Sequence, residues 1–437
     1  MSQWPEPAAR QEEVTGLVCQ ETDLEDGQMK EVTVGEKKVL LVRTQGQYSA
    51  VGNQCSHYSA PLVKGALVGD RVRCPFHGAC FNINTGDIEE YPGLDCLPTY
   101  KVKVEDGKVY VTISKNLTKR VKEMCSRAPE IKHTVLLIGG GPAALVCAET
   151  LRQNRYQGRI IMLTKDNLPP FDKPKLSKVR IQDTRISSIL LRSADFYQQY
   201  GIEVWTQKEV VLVNTVDKAV KLNDGTLQRY DQLLISTGLT EVKGENGKVK
   251  GVVLKSGTVL EADVVIAGIG VIPNSDFLTG SQLEVDSRKA VIVDKFMRTN
   301  IPDIFSAGDV TSFPLTIRGD QRVNIGHWQM SQAQGRVAAL NMLKKPTKIE
   351  SVPFFWTVLL GKSIRYTGYG EGYTEIIYKG KVDERKFLAF YIKDEEVVAA
   401  ASLMFDPAVA RLAELMATGQ TVTKAQAQAD DLSWLQM

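Results

Sequence analysis

The chain is poor in histidine, with four in 437 residues, and it has only seven cysteines. So few cysteines do not make a disulfide framework, which points to a reducing compartment, the cytoplasm or alternatively the mitochondrion. No run of eighteen apolar residues occurs, so no membrane span is expected. The longest apolar stretch, Thr134 to Ala148, is interrupted by three glycines and a proline. The first twelve residues contain Glu and Pro and no apolar core of a secretory signal, and they are too acidic for a mitochondrial presequence. A formal charge of +3 spread over this length argues against nucleic acid as a partner. No internal repeat is visible, and the length allows about three domains.

Two of the scarce histidines sit beside two of the scarce cysteines. Cys55-Ser56-His57 is followed, after sixteen residues, by Cys74-Pro75-Phe76-His77-Gly78. A C-x-H and a C-x-x-H, each in a loop, supply the two thiolates and two imidazoles of a Rieske [2Fe–2S] centre, one pair to each iron. Zinc is the alternative, since it also accepts two Cys and two His. Zinc ligands usually come as like pairs, C-x-x-C with H-x-x-x-H, whereas here each loop gives one of each. Pro75 and Gly78 suit a tight loop. Val39–Val42 and Val109–Val111 read as strands framing the loops.

Residues 13–114 resemble a whole Rieske ferredoxin-like domain. High-potential members of that class carry extra loop cysteines and a hydroxyl donor to the cluster sulfurs. Tyr58 and Phe76 stand where those cysteines would be, and Ala79 where the serine would be. Fewer hydrogen bonds to sulfur imply the low end of the range, about −150 mV. Cys80 reads as a small core residue. Residues 115–130 carry Lys115, Lys119, Arg120, Lys122 and Arg127 and read as a solvated basic linker.

After the linker, His133–Ile138 reads as a strand, Gly139-Gly140-Gly141-Pro142-Ala143-Ala144 as a turn, and Leu145–Gln153 as a helix. This is the G-x-G-x-x-A form of a dinucleotide site. Gly139 permits the turn, Gly141 admits the pyrophosphate and Ala144 lets helix and strand approach. A plain glycine-rich turn is the alternative. The next strand, Arg159–Leu163, ends in Thr164-Lys165-Asp166 and not directly in the acid expected to hold a ribose.

Tyr230–Gly238 and Ile304–Asp309 resemble the two FAD signatures of the pyridine-nucleotide-disulfide oxidoreductases. That resemblance implies FAD, with Thr237 and Gly238 near it, Asp309 on the ribityl chain and Val210 meeting the adenine. The stretch Lys173–Lys178 has no redox-active cysteine pair. It resembles the R-P-x-L-S-K segment of ferredoxin reductases, with Lys173 replacing Arg and Lys178 near flavin N5. Trp328 is the indole expected against the isoalloxazine; Trp356 fits either that role or plain core. Lys178 and Trp328 are thus the expected catalytic residues.

Taken together, these segments resemble apoptosis-inducing-factor-like proteins, the Rieske-bearing relatives of apoptosis-inducing factor. The resemblance implies three units: an all-β Rieske domain at 13–114, an α/β FAD-binding Rossmann-like domain at 131–348 and a small α+β domain at 349–425. It also implies electron transfer from a nicotinamide donor to a one-electron acceptor and a pro-apoptotic role. One part is missing. The NAD-binding domain belongs between Gly238 and Ala262, where only about two dozen residues occur, against ~30 for a single βαβ unit. Gly244–Gly247 reads as a turn, Val252–Leu254 as a short strand, and Gly268-Ile269-Gly270 runs into Pro273, which cannot open a helix. An NAD(P)H site is therefore not evident, and a non-catalytic interaction or signalling variant is the alternative function.

Overall fold

The computed structural model describes residues 13–114, 119–176, 186–240, 251–253, 259–261 and 271–435. Lys178, Gly268, Gly270 and the turn at Gly244–Gly247 lie outside them.

The N-terminal unit is an antiparallel sheet in the order Glu13–Gln20, Lys108–Ser114, Thr99–Glu105, Gln47–Gly52, Lys37–Thr44, Met29–Val34. The continuous apolar run Val39–Val42 is buried on both faces. Leu40 and Val42 pack towards the loop-bearing core, while Val39 and Leu41 pack between the sheet strands. This is the period of two expected of a strand. A smaller sheet, Ala66–Val68, Arg71–Arg73, Cys80–Asn82 and Ile88–Glu90, carries the second Cys-His loop.

The middle unit has a parallel sheet in the order Ile202–Trp205, Arg159–Leu163, Thr134–Ile138, Gln232–Ile235, Ile304–Ser306. Helix α1 (Pro142–Gln153) follows the Thr134–Ile138 strand, as its sequence pattern predicts. Helix α2 (Trp328–Met342) lies against α1 so closely that a Cβ on Gly335 would meet the Ala143 carbonyl oxygen at 2.2 Å. The last unit is a five-stranded antiparallel sheet, Phe354–Leu359, Lys362–Gly368, Glu396–Leu403, Lys386–Lys393, Glu375–Lys381. Helix α3 (Ala408–Ala417) is packed on it. Its core reaches Leu435, so this unit extends ten residues past the expected boundary at 425.

The Rieske-like unit is fixed to both others by buried polar contacts. Glu414 of α3 is fully buried and binds Arg73, with Arg71 at 3.3 Å. Burial alone would raise the Glu414 carboxyl, but the two guanidinium charges outweigh it and hold it below its ordinary value. Arg192 pairs with Glu149 of α1 at 2.8 Å and with Asp95 of the Rieske-like unit at 2.7 Å. Gln332 of α2 donates to the Gly93 carbonyl at 3.0 Å, and Tyr58 Oη donates to Asp172 at 2.8 Å.

The described part of the expected solvated linker is instead a strap. Lys119 pairs with Asp95, Arg120 and Lys122 with Asp87, and Arg127 with Glu203. Backbone bonds from Arg120 to Cys96 and from Cys125 to Arg152 pin it on both sides. The described basic residues are paired with carboxylates of both neighbouring units, although Lys119 and Lys122 stay partly exposed to water.

Candidate functional site

The two Cys-His loops are built alike. In the first, Cys55 N–H donates to the Ala60 carbonyl at 2.9 Å and Ser59 N–H to the Cys55 carbonyl at 2.8 Å. In the second, Cys74 N–H donates to Ala79 at 2.8 Å and Gly78 N–H to Cys74 at 3.1 Å. Each loop turns through one left-handed residue, Ser59 at φ +54° and Gly78 at φ +79°. Gly78 is also required by space, because a Cβ there would lie 2.6 Å from the Phe354 ring.

These turns bring the donors together in like pairs. Cys55 and Cys74 are buried close enough that each thiol shifts the other, Cys55 upwards and Cys74 downwards. His57 and His77 are half-buried, and their Nδ1 atoms face each other at 3.1 Å. Among the described residues no three Cys, His, Asp or Glu side chains gather round one point. Sulfur with sulfur and imidazole with imidazole is the pairing a two-iron cluster needs, with two ligands to each iron. Cys80 lies behind the loop, fully buried, with Arg71 Nε 3.3 Å from its sulfur. Burial pushes its thiol up to about 12, so it is inert packing.

The second feature is a cavity of about 900 Å³ at the C-terminal edge of the parallel sheet. Its walls include Gly139, Gly141, Ala143, Lys173, Val210, Thr237, Gly238, Asp309 and Trp328. These are nine of the residues expected to hold FAD. Of the other two, Lys178 lies outside the described residues, and Ala144 does not line the cavity and is fully buried in the core. It acts as the small residue that lets α1 lie close. Gly139 has φ +120°, and a Cβ there would meet the Ser236 carbonyl oxygen at 2.2 Å. Gly141 opens onto free space at the N-terminus of α1, a setting that suits a pyrophosphate. Asp309 accepts a bond from Ser331 Oγ at 2.8 Å. Its burial raises the carboxyl above the ordinary value.

Two cavity residues escape a reading of the sequence alone. Asp166, two residues past the position expected of a ribose-binding acid, lines the cavity and pairs with Lys173 at 3.4 Å. The other is Trp356, which was not separable from core. It lines the cavity, and its indole centroid is 5.1 Å from His77, 6.2 Å from His57 and 4.7 Å from His327. Trp328 also lines the cavity, but Trp356 is the indole that touches both features. His327 packs on Phe355 at 4.1 Å, and burial lowers its pKa to about 4, so it is neutral at physiological pH.

Comparison with known proteins agrees with this anatomy. The Rieske [2Fe-2S] domain family matches residues 15–101. The pyridine nucleotide-disulphide oxidoreductase family matches 133–241 and 238–335, and the reductase C-terminal family matches 354–435. The fold is shared with the reductase in the crystal structure of the covalent putidaredoxin reductase–putidaredoxin complex, at a TM-score of 0.63 and 20% identity over 70% of this chain and 97% of that one. Rubredoxin-NAD(+) reductase of Pseudomonas putida is 23% identical over 62% of this chain and 95% of its own length.

Fold and site together define an FAD-dependent oxidoreductase with a Rieske [2Fe–2S] domain joined to it. Apoptosis-inducing factor 3 of Homo sapiens and of Mus musculus are each 38% identical to this chain over 99% of it and 89% of their own length. The chain belongs to the apoptosis-inducing factor 3 family. Those alignments run over 545 residues, more than the 437 of this chain, so the relatives contain residues without a counterpart here. The two oxidoreductase matches meet at 238–241, where the NAD-binding domain was expected.

Proposed function

We propose that this protein relays electrons from its flavin site to its Rieske centre through the contact at Trp356, and on to a one-electron acceptor. The observation that carries the reading is the double placement of Trp356, in the cavity wall and against both loop histidines. In this reading Cys55, His57, Cys74 and His77 bind the cluster. Asp309, Val210, Thr237, Gly238, Lys173 and the turn from Gly139 to Ala143 bind FAD. Bound FAD exchanges electrons singly or in pairs, and the cluster holds one. The protein's own part is to fix distances. Arg73, Glu414, Arg192 and Gln332 hold the Rieske unit in one orientation, and Trp356 fills the space that water would otherwise occupy. Neutral His327 keeps that contact free of a competing charge.

The ligand assignment has a direct test. Cys74→Ser is expected to abolish the electron paramagnetic resonance of the dithionite-reduced cluster while the flavin absorbance remains. A retained Rieske signal, or native protein holding zinc without iron and sulfide, contradicts it.

The donor side has a second reading. The two oxidoreductase matches meet at 238–241 and only about two dozen residues separate Gly238 from Ala262, too few for a nicotinamide-binding domain, so we expect slow, non-saturable bleaching of the flavin by NADH. Anaerobic stopped-flow spectroscopy checks this; fast saturable bleaching at micromolar NADH overturns it. If bleaching is slow, the non-catalytic interaction or signalling role gains ground for this chain. Among the described residues no helix is long and apolar enough to cross a membrane. All seven cysteines are free of disulfides, which supports a reducing compartment, the cytoplasm or alternatively the mitochondrion.

A further inference from the structure

The C-terminal unit reaches into the second cluster loop with a buried cation. Arg365, on the strand Lys362–Gly368, is 4% exposed. Its Nε donates to the Pro75 carbonyl at 3.2 Å, within the Cys74–His77 loop, and its Nη1 donates to the carbonyls of Ile364 and Thr357 at 2.9 and 3.2 Å. All of these acceptors are neutral. The carboxylate nearest to it, Asp406, is 3.9 Å away and a quarter exposed, too far for a good charge-assisted bond. Cys74 is the other group that feels its field. The guanidinium is thus a poorly compensated positive charge, shielded from water and held one residue from a thiolate ligand.

The hydroxyls that might otherwise tune the centre are engaged elsewhere. Ser56 Oγ donates to the Asp95 carbonyl at 2.6 Å, and Tyr58 Oη is bound to Asp172. Ala79 offers none. Side-chain hydroxyls thus add no bond to the ligand sulfurs beyond those of the backbone N–H groups of His57, Tyr58, Phe76 and His77, and nearby charge is a further lever on the potential.

We infer that Arg365 is a tuning residue through which the reductase's C-terminal unit raises the reduction potential of the Rieske centre. Two ferric ions, two sulfides, two thiolates and two neutral imidazoles sum to zero charge. One electron, from dithionite or from the reduced flavin, leaves the centre at minus one. A fixed positive charge nearby stabilises that state and not the neutral one, and burial prevents salt from screening it. The potential is then set only when the Rieske unit is seated against the C-terminal sheet. This couples docking to electron affinity.

The inference rests on the ligand assignment proposed above. A native Rieske resonance in the wild-type protein establishes that assignment separately, so the two can fail independently. The test is a redox titration of the full-length holoprotein followed by electron paramagnetic resonance. For Arg365→Gln, the ratio of reduced to oxidised centre at the native midpoint is expected to fall about tenfold, equivalent to ~59 mV for one electron. Arg365→Lys keeps the charge and loses the planar fork; it is expected to stay within about twofold of native. Asp406→Asn removes the opposing charge and is expected to raise the ratio about threefold. Unchanged g values would show that the ligands are intact. If Gln and Lys shift the ratio equally, Arg365 only holds the loop and the inference is wrong. It is equally wrong if Gln shifts nothing, or if Asp406→Asn fails to raise the ratio. Should the Gln variant not fold, the Lys and Asn variants decide the matter by the same criteria.

Discussion

Trp356→Ala is expected to slow electron transfer from flavin to cluster on the order of 10²-fold, with both cofactors still bound. Among the described residues, the indole is the one side chain that both lines the cavity and meets the rings of His57, His77 and His327. Removing it leaves a gap that water enters or neighbouring groups half-fill. Either result loosens a contact whose value lies in its fixed geometry. Both cofactors are expected to stay bound, because the loop turns are closed by their own backbone bonds and the glycine turn stands at the N-terminus of α1. Laser-flash photoreduction of the flavin, followed at the cluster's absorbance, gives the rate. Trp356→Phe preserves an aromatic bridge and is expected to recover most of it. Native rates in the Ala variant would remove Trp356 from the path.

Glu414→Ala is expected to cost about 3–5 kcal/mol in the seating of the Rieske unit, since it leaves the buried Arg73 guanidinium without its counter-charge, whereas Arg71 keeps Glu89 at 3.2 Å. Arg73 is 1% exposed, and its Nη1 also donates to the Gly78 carbonyl at 2.8 Å. The loss is therefore felt directly in the second Cys-His loop. Limited proteolysis between the units and the denaturant midpoint of the Rieske visible bands both report it. Full resistance to proteolysis with an unchanged midpoint would show that the pair holds nothing together.

The pH dependence has a definite sign. The folded-state value of Glu414 is below the ordinary one of about 4.3. Its contribution is complete above that ordinary value and is lost only as pH falls through the lower folded one. The clamp is expected to hold through the neutral and mildly acidic range.

Much of the architecture was legible because local pattern and chemistry agreed. The mixed Cys-His loops, the Gly139–Ala144 turn after a β-branched strand, and Asp309 at the end of Ile304–Ser306 each pair a residue type with the backbone it needs. What escaped reading depends on contacts distant in sequence. Nothing near Glu414 marks it as the partner of Arg73, which is 341 positions away. Trp328 is the indole the sequence favours for the flavin, and only the packing of Phe354–Leu359 beside the second loop marks Trp356 as the indole that also meets the loop histidines. The basic stretch before the flavin-binding unit looked solvated because its acidic partners Asp87, Asp95 and Glu203 lie in other segments. Lys178, expected near flavin N5, falls outside the described residues.

Intramolecular transfer is the heart of this account, and dilution tests it most directly. Holoprotein is photoreduced at the flavin over a hundredfold range of concentration, and the appearance of the reduced Rieske centre is timed. A docked unit with Trp356 between the sites requires a single rate that does not change with concentration. A rate that rises in proportion to concentration, or a cluster that never takes the electron, would contradict it.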